Sequence, residues 1–221
     1  MSAPLLKICG LRSPSQAAAV AQLGVDALGV IAVPGSPRYL AAAERPALFA
    51  AMRAAAPDCQ GVLVVADPGD DQLAALDPGR GHQLIQLHGR ETPERCAFLR
   101  QQLGCGVWKA VRLRQPSDLL GLDAYGGAVD ALLLDAWVPD QLGGTGHAIP
   151  LEWLAGWSPP LPWWLAGGIT AERAPAVLRR LHPTGLDASS GVEQAPGDKD
   201  LERVRALVAA VQSAPVAAGE D

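Results

Sequence analysis

Eight short β-prone runs recur along this chain, each followed by a stretch of helical pattern, and that alternation restricts the fold more than any other feature. The runs fall at residues 5–9, 27–33, 61–66, 83–88, 106–111, 130–135, 162–166 and 185–188. Helical patterns occupy 15–23, 41–54, 70–76, 93–103, 116–120, 151–155, 171–181 and 199–211. Strands alternating with helices imply βαβ units, whose crossovers are right-handed and whose sheet is parallel. Ala131-Leu132-Leu133-Leu134 is apolar at every position, as expected of a strand covered on both faces. Eight such units in 221 residues fit an α/β fold closed into a (β/α)8, or TIM, barrel, which takes about 200 to 250 residues as one domain. An open doubly wound sheet is the rival architecture, but no Gly-x-Gly-x-x-Gly follows the first run.

No shift in composition and no linker divides the chain, so a single domain is expected over 1–221, with a disordered tail near 214–221. A hydrophobic content of 49% is ample for a core. The net charge of -5 comes without a basic stripe, which argues against a nucleic-acid partner. No apolar run reaches the roughly 18 residues of a membrane span. Met1-Ser2-Ala3-Pro4 does not open a secretory leader. Cys9, Cys59, Cys96 and Cys105 lie far apart without a Cys-x-x-Cys pair, which speaks against zinc and for a reducing compartment. The expectation is a cytoplasmic protein, monomeric or homodimeric, acting on a small molecule and holding no metal.

In a barrel of this kind the C-terminal ends of the strands face the active site. Lys7-Ile8-Cys9-Gly10 ends the first run with a thiol, and Leu134-Asp135-Ala136 ends the sixth with a carboxylate. Free cysteine is often simply buried; Lys7, two residues earlier and on the same face, favours a thiolate and with it a base role. Asp135 follows three leucines, where an unpaired charge is costly. It is either a salt-bridge partner or a carboxyl whose pKa is raised enough for general-acid work. Closing the barrel sets the last strand beside the first, so Asp187 is expected to pair with Lys7, which would help hold Cys9 as thiolate.

Three glycine-containing loops stand at strand ends: Gly143-Gly144-Thr145-Gly146, Gly167-Gly168, and Asp187-Ala188-Ser189-Ser190-Gly191. Loops after the seventh and eighth strands commonly bind phosphate in barrels, since backbone N–H groups converge there on the anion. Gly144, Gly167, Gly168, Asp187, Ser189 and Ser190 are therefore candidate substrate-binding residues. Arg38, after the second run, offers a bidentate grip on a carboxylate, unless it is only a surface arginine. His88 ends the fourth run and is placed in the pocket. Trp153, Trp157, Trp163 and Trp164 suit packing better than ligand contact.

Taken together, Lys7-Ile8-Cys9-Gly10, Ser36-Pro37-Arg38-Tyr39, Gln86-Leu87-His88-Gly89, Leu134-Asp135-Ala136, Gly143-Gly144-Thr145-Gly146, Ala166-Gly167-Gly168-Ile169 and Asp187-Ala188-Ser189-Ser190-Gly191-Val192-Glu193 resemble the phosphoribosylanthranilate isomerase family of tryptophan biosynthesis. The match runs in order from residue 7 to Asp200. The resemblance implies an Amadori rearrangement without metal or organic cofactor, with Cys9 as general base, Asp135 as general acid and Arg38 meeting the anthranilate carboxylate. Two stretches depart from the family pattern. Ile31-Ala32-Val33 stands where aromatics are usual, and 147–153 lacks a basic residue followed by Phe-Asp-Trp. Val33 and Trp137 are then the candidates to cover the substrate's ring. Other readings are a pentose-phosphate epimerase, the related histidine-pathway isomerase, which uses aspartates where Cys9 stands, and a non-catalytic barrel kept as a binding partner.

Overall fold

The computed structural model describes residues 3–137 and 147–214. The 143–146 loop with Gly144, and the tail beyond residue 214, lie outside these described residues. Eight parallel strands, β1 (Leu5–Cys9), β2 (Ala27–Ile31), β3 (Gln60–Val65), β4 (Leu84–Leu87), β5 (Gly106–Leu113), β6 (Ala131–Ala136), β7 (Trp163–Leu165) and β8 (Gly185–Ala188), form a closed barrel in chain order. β8 closes onto β1 with Lys7 opposite Asp187. The α-helices are α1 (Pro14–Ala21), α2 (Arg45–Ala55), α3 (Pro93–Leu103), α4 (Ala174–Arg180) and α5 (Leu201–Gln212).

Local chemistry starts the helices where they start. Proline occupies the first turn of α1, α2, α3 and α4, where its missing N–H costs nothing. Ser13 caps α1 by accepting from the Gln16 N–H at 3.2 Å, and Asp200 caps α5 through the Glu202 and Arg203 N–H groups. α3 ends at Gly104 in the left-handed region, φ 59°.

Three expected helices are 3-10 turns instead: Asp70–Leu76, Pro116–Leu119 and Leu151–Trp153. Pro68-Gly69 and Pro78-Gly79 bracket the first, and Gly121 follows the second; segments this short do not repay helix nucleation. α2 begins at Arg45 rather than residue 41, and β2 stops at Ile31 rather than Val33. A two-stranded hairpin, β9 (Glu193–Ala195) and β10 (Asp198–Lys199), follows β8, where the sequence pattern predicts no strand and starts the last helix at residue 199.

The period-two alternation of the strands sorts side chains into two cores. Ile8, Leu28, Val30, Leu63 and Ile85 point outward beneath the helices. Val62, Leu84, Trp108, Leu133 and Trp164 fill the barrel interior, with the Trp108 and Trp164 rings packed at a tilt, 4.6 Å between centroids. This plug leaves the C-terminal mouth as the place where inward-pointing polar residues gather.

Candidate active site

Parallel strands all end at the same rim, so residues remote in sequence meet there. Cys9, Gln86, His88, Asp135, Gly167, Gly168, Asp187, Ser189 and Ser190 line one cleft at the mouth, where small-molecule sites of such barrels lie. Every described residue proposed for the site from sequence lies in this cleft except Arg38 and Trp137. The arginine is buried beside it, over Gly10, with its guanidinium against Glu193. Its Nε donates to Glu193 at 2.9 and 3.1 Å and its Nη2 at 2.7 Å.

Cys9 fits because its neighbour across the β1–β2 pairing is Gly29. A Cβ added there would stand 2.6 Å from the thiol sulfur. Gly167 (φ 85°) and Gly168 (φ 63°) adopt left-handed backbone, which only glycine takes up without strain. They turn the chain back over the cleft.

Lys7 lies fully buried one turn of the pleat below Cys9, with its Nζ 3.0 Å from Asp187 Oδ1. Burial works to lower the Lys7 pKa, but Asp187 and Cys9 outweigh it and leave it raised. Burial raises the Asp187 pKa against the pull of Lys7. The first shift favours the ion pair and the second opposes it; the 3.0 Å contact decides for the ion pair, since separating the groups would strand each unpartnered.

The expected Lys7–Asp187 pairing is therefore present, and Lys7 acts on Cys9 in the expected direction, but burial outweighs it. Burial is the largest influence on Cys9 and pushes the thiol pKa up; Lys7 and Lys199 pull it down, while Asp187 pushes it further up. Lys7 is the strongest influence pulling the thiol pKa down, but it is shared with the Asp187 carboxylate, which acts in the opposite sense. In the free protein the net effect holds the Cys9 pKa above its ordinary value, which favours the thiol over the thiolate.

Asp135 is buried, and its Oδ1 accepts from the Ala136 N–H at 2.9 Å. Burial, then repulsion from Asp187, raises its pKa to about 7, against the Ala136 N–H, Lys7 and Arg112. It therefore keeps its proton far above the usual carboxylate range. His88 stands 3.6 Å from Asp135 Oδ2 through Nε2. Burial, with Lys109, Arg112 and Lys7, lowers its pKa to about 3, so the ring is neutral.

Sequence reasoning missed the hairpin's contribution. Lys199 donates to the Cys9 carbonyl at 2.5 Å, to the Ser189 carbonyl at 3.3 Å and to Glu193 at 2.6 Å. Ser189 Oγ also donates to the Cys9 carbonyl, at 3.1 Å. The β9–β10 turn thus clamps the end of β1. No spacing signal marks Lys199, because its partners lie up to 190 residues away. Gln86 was missed as well, although its place two residues before His88 on one strand put it on the same inward face.

The comparisons with known proteins agree with this geometry. A sequence model of the family described as N-(5'phosphoribosyl)anthranilate (PRA) isomerase matches residues 6–210. The chain belongs to the phosphoribosylanthranilate isomerase family. An N-(5'-phosphoribosyl)anthranilate isomerase of Thermosynechococcus vestitus is 46% identical over 206 residues, 92% of this chain and 87% of its relative. The Microcystis aeruginosa counterpart is 43% identical over 94% of this chain and 97% of its own. The crystal structure of phosphoribosyl anthranilate isomerase from Thermus thermophilus superposes with a TM-score of 0.75 at 34% identity, over 95% of this chain and 98% of that one. The Thermotoga maritima enzyme shares the fold, with a TM-score of 0.84 at 24% identity. In this member of the phosphoribosylanthranilate isomerase family, Ile31 and Val33 line the cleft at the stretch where aromatics are usual. Trp137 lies beneath the Arg114 guanidinium, 4.4 Å from its ring centroid.

Proposed function

We propose that this isomerase catalyses the Amadori rearrangement of N-(5'-phosphoribosyl)anthranilate to 1-(2-carboxyphenylamino)-1-deoxyribulose 5-phosphate in tryptophan biosynthesis, with Asp135 as general acid and Cys9 as general base. The observation that carries the reading is a buried carboxyl group in the same cleft as a thiol, beside a glycine-lined cup, with burial raising the carboxyl pKa to about 7. Asp135 protonates the furanose ring oxygen, the C1–O bond breaks, and the substrate's nitrogen lone pair stabilises the resulting iminium. Cys9 as thiolate then takes the C2 proton, and the electron pair of that C–H bond neutralises the iminium to give an enolamine, which tautomerises to the ketone. The substrate's own nitrogen is the electron sink.

The chemistry needs a carboxylic acid and a thiolate together. Asp135 titrates at about 7 and Cys9 above its ordinary value, so the singly protonated pair keeps most of its proton on sulfur. The reactive arrangement, with the proton on Asp135 and the charge on sulfur, is then the minor form of that pair. Turnover should then rise with pH through about 7 as the pair loses its first proton, and fall when the thiol ionises. Gly167, Gly168, Ser189 and Ser190 hold the phosphate, and Arg38, set by Glu193, meets the anthranilate carboxylate.

The test is turnover followed as loss of anthranilate-type fluorescence, with substrate generated in situ. Cys9→Ala and Asp135→Asn should each lower kcat by about 10²–10⁴, with small changes in substrate affinity. Near-normal turnover in either folded variant removes that residue from the mechanism.

A further inference from the structure

Among the described residues, two buried side-chain polar atoms lack a hydrogen-bond partner, Gln86 Oε1 and His88 Nε2. Both residues line the cleft, and both are at least nine-tenths buried. They stand on the inward face at the end of β4, two residues apart, and the His88 backbone N–H is held by the Val65 carbonyl at 2.8 Å. Gln86 Nε2 lies 3.2 Å from His88 Nδ1, and His88 Nε2 lies 3.6 Å from Asp135 Oδ2. The three side chains form a line ending on the carboxyl group assigned as the general acid.

We propose that Gln86 and His88 are positioning residues for Asp135. The Gln86 amide donates to Nδ1 and so confines the imidazole proton to Nε2, which then donates to Oδ2 once Asp135 has given its own proton to the substrate. The inference rests on the acid role proposed for Asp135. An amide can donate only to a ring nitrogen without a proton, and a neutral imidazole carries one proton. The neutral state follows from burial and from the nearby positive charges, Lys109 and Arg112 on β5 and Lys7 on β1.

Oδ1 is already held by the Ala136 N–H, so Oδ2 is the oxygen left to act on a ligand. The 3.6 Å separation is too long for a hydrogen bond; it closes when the carboxylate forms and attracts the N–H, as catalytic contacts commonly tighten on reaction. With the amide reversed, Nδ1 would carry the proton and Nε2 would face Asp135 as an acceptor. It would then draw off the proton the acid must deliver.

The tautomer can be read directly. In ¹⁵N-labelled wild-type protein without substrate, His88 should show Nε2 protonated and Nδ1 bare, from pH 6 to 9. A predominant Nδ1–H form overturns the proposal, whatever the protein turns over. Gln86→Glu places a carboxylate against Nδ1 and should move the proton there, with loss of most turnover.

His88→Leu removes the N–H that favours the Asp135 carboxylate. Lys7, Arg112, Asp187, Cys9 and the Ala136 N–H remain around Asp135. Its pKa, and with it the acid limb of the turnover profile, should rise by about one pH unit. His88→Gln, which can return an N–H to that point, should restore the limb. An acid limb unmoved in folded His88→Leu sinks the positioning role. A wild-type protein that fails to turn over phosphoribosylanthranilate, yet shows the Nε2–H tautomer, instead sinks the functional reading.

Discussion

Asp135→Asn should make the protein more stable while removing most of its activity. Burial and repulsion from Asp187 raise the Asp135 pKa from an ordinary 3.8 to about 7. The folded protein therefore holds that proton up to about pH 7, and the unfolded chain only up to about pH 4. Between these limits the folded state binds more protons, so stability falls as pH rises through that window. At ~1.4 kcal/mol per pH unit, the charged carboxylate costs the fold about 4 kcal/mol at pH 8 as a ceiling. Asparagine carries no charge, and its carbonyl keeps the 2.9 Å bond from the Ala136 N–H. Its amide N–H groups face His88, which takes back part of the gain. We expect a net gain of about 1–4 kcal/mol at pH 8, or roughly 3–10 °C in Tm for a domain of this size. Urea denaturation of both proteins from pH 4 to 9 reads it. The difference should be small at pH 4, grow to about pH 7 and level off above. A variant no more stable than wild type at pH 8, or a difference independent of pH, would falsify the assignment of a destabilised acid at this position.

Lys7→Met leaves the Asp187 carboxylate buried without its ammonium and should cost about 3–5 kcal/mol; urea midpoints equal to wild type would mean the pair is idle. The same change removes the main influence pulling the Cys9 pKa down, so thiol alkylation should begin at higher pH in the folded variant than in wild type, and identical profiles would contradict that. Gly29→Ala puts a methyl group where the thiol sulfur stands. It should cost about 1–3 kcal/mol and lower kcat more than it raises KM, and a fully active, equally stable variant would show that β1 yields freely. Arg38→Ala should raise KM by about 10- to 100-fold, the loss of a charge-assisted bond worth about 1.5–3 kcal/mol; an unchanged KM would mean that Arg38 serves only Glu193.

The chain's alternation of strand and helix patterns determined the closed barrel, and the strand ends then determined the company Cys9 keeps. In a parallel barrel every strand ends at one rim, so Cys9, His88, Asp135, Gly167 and Ser189 could be placed in one cleft without coordinates. The Lys7–Asp187 pair was legible for the same reason, since barrel closure puts β8 beside β1. The short turns at Asp70–Leu76 and Pro116–Leu119 were not, because helix length depends on nucleation and on neighbours as well as on pattern. Nor was the grip of Lys199 and Glu193 on Cys9 and Arg38, which bridges positions with no shared period. Only the tertiary structure decided how the protons are distributed. Cys9 beside Lys7 reads as a thiolate when charges are counted along the chain, yet burial and the Asp187 carboxylate outweigh the pull of Lys7 and push its pKa up. A pattern of residue types specifies which groups meet; the desolvation each one suffers is a sum over everything packed around it, and that sum exists only once the chain has folded.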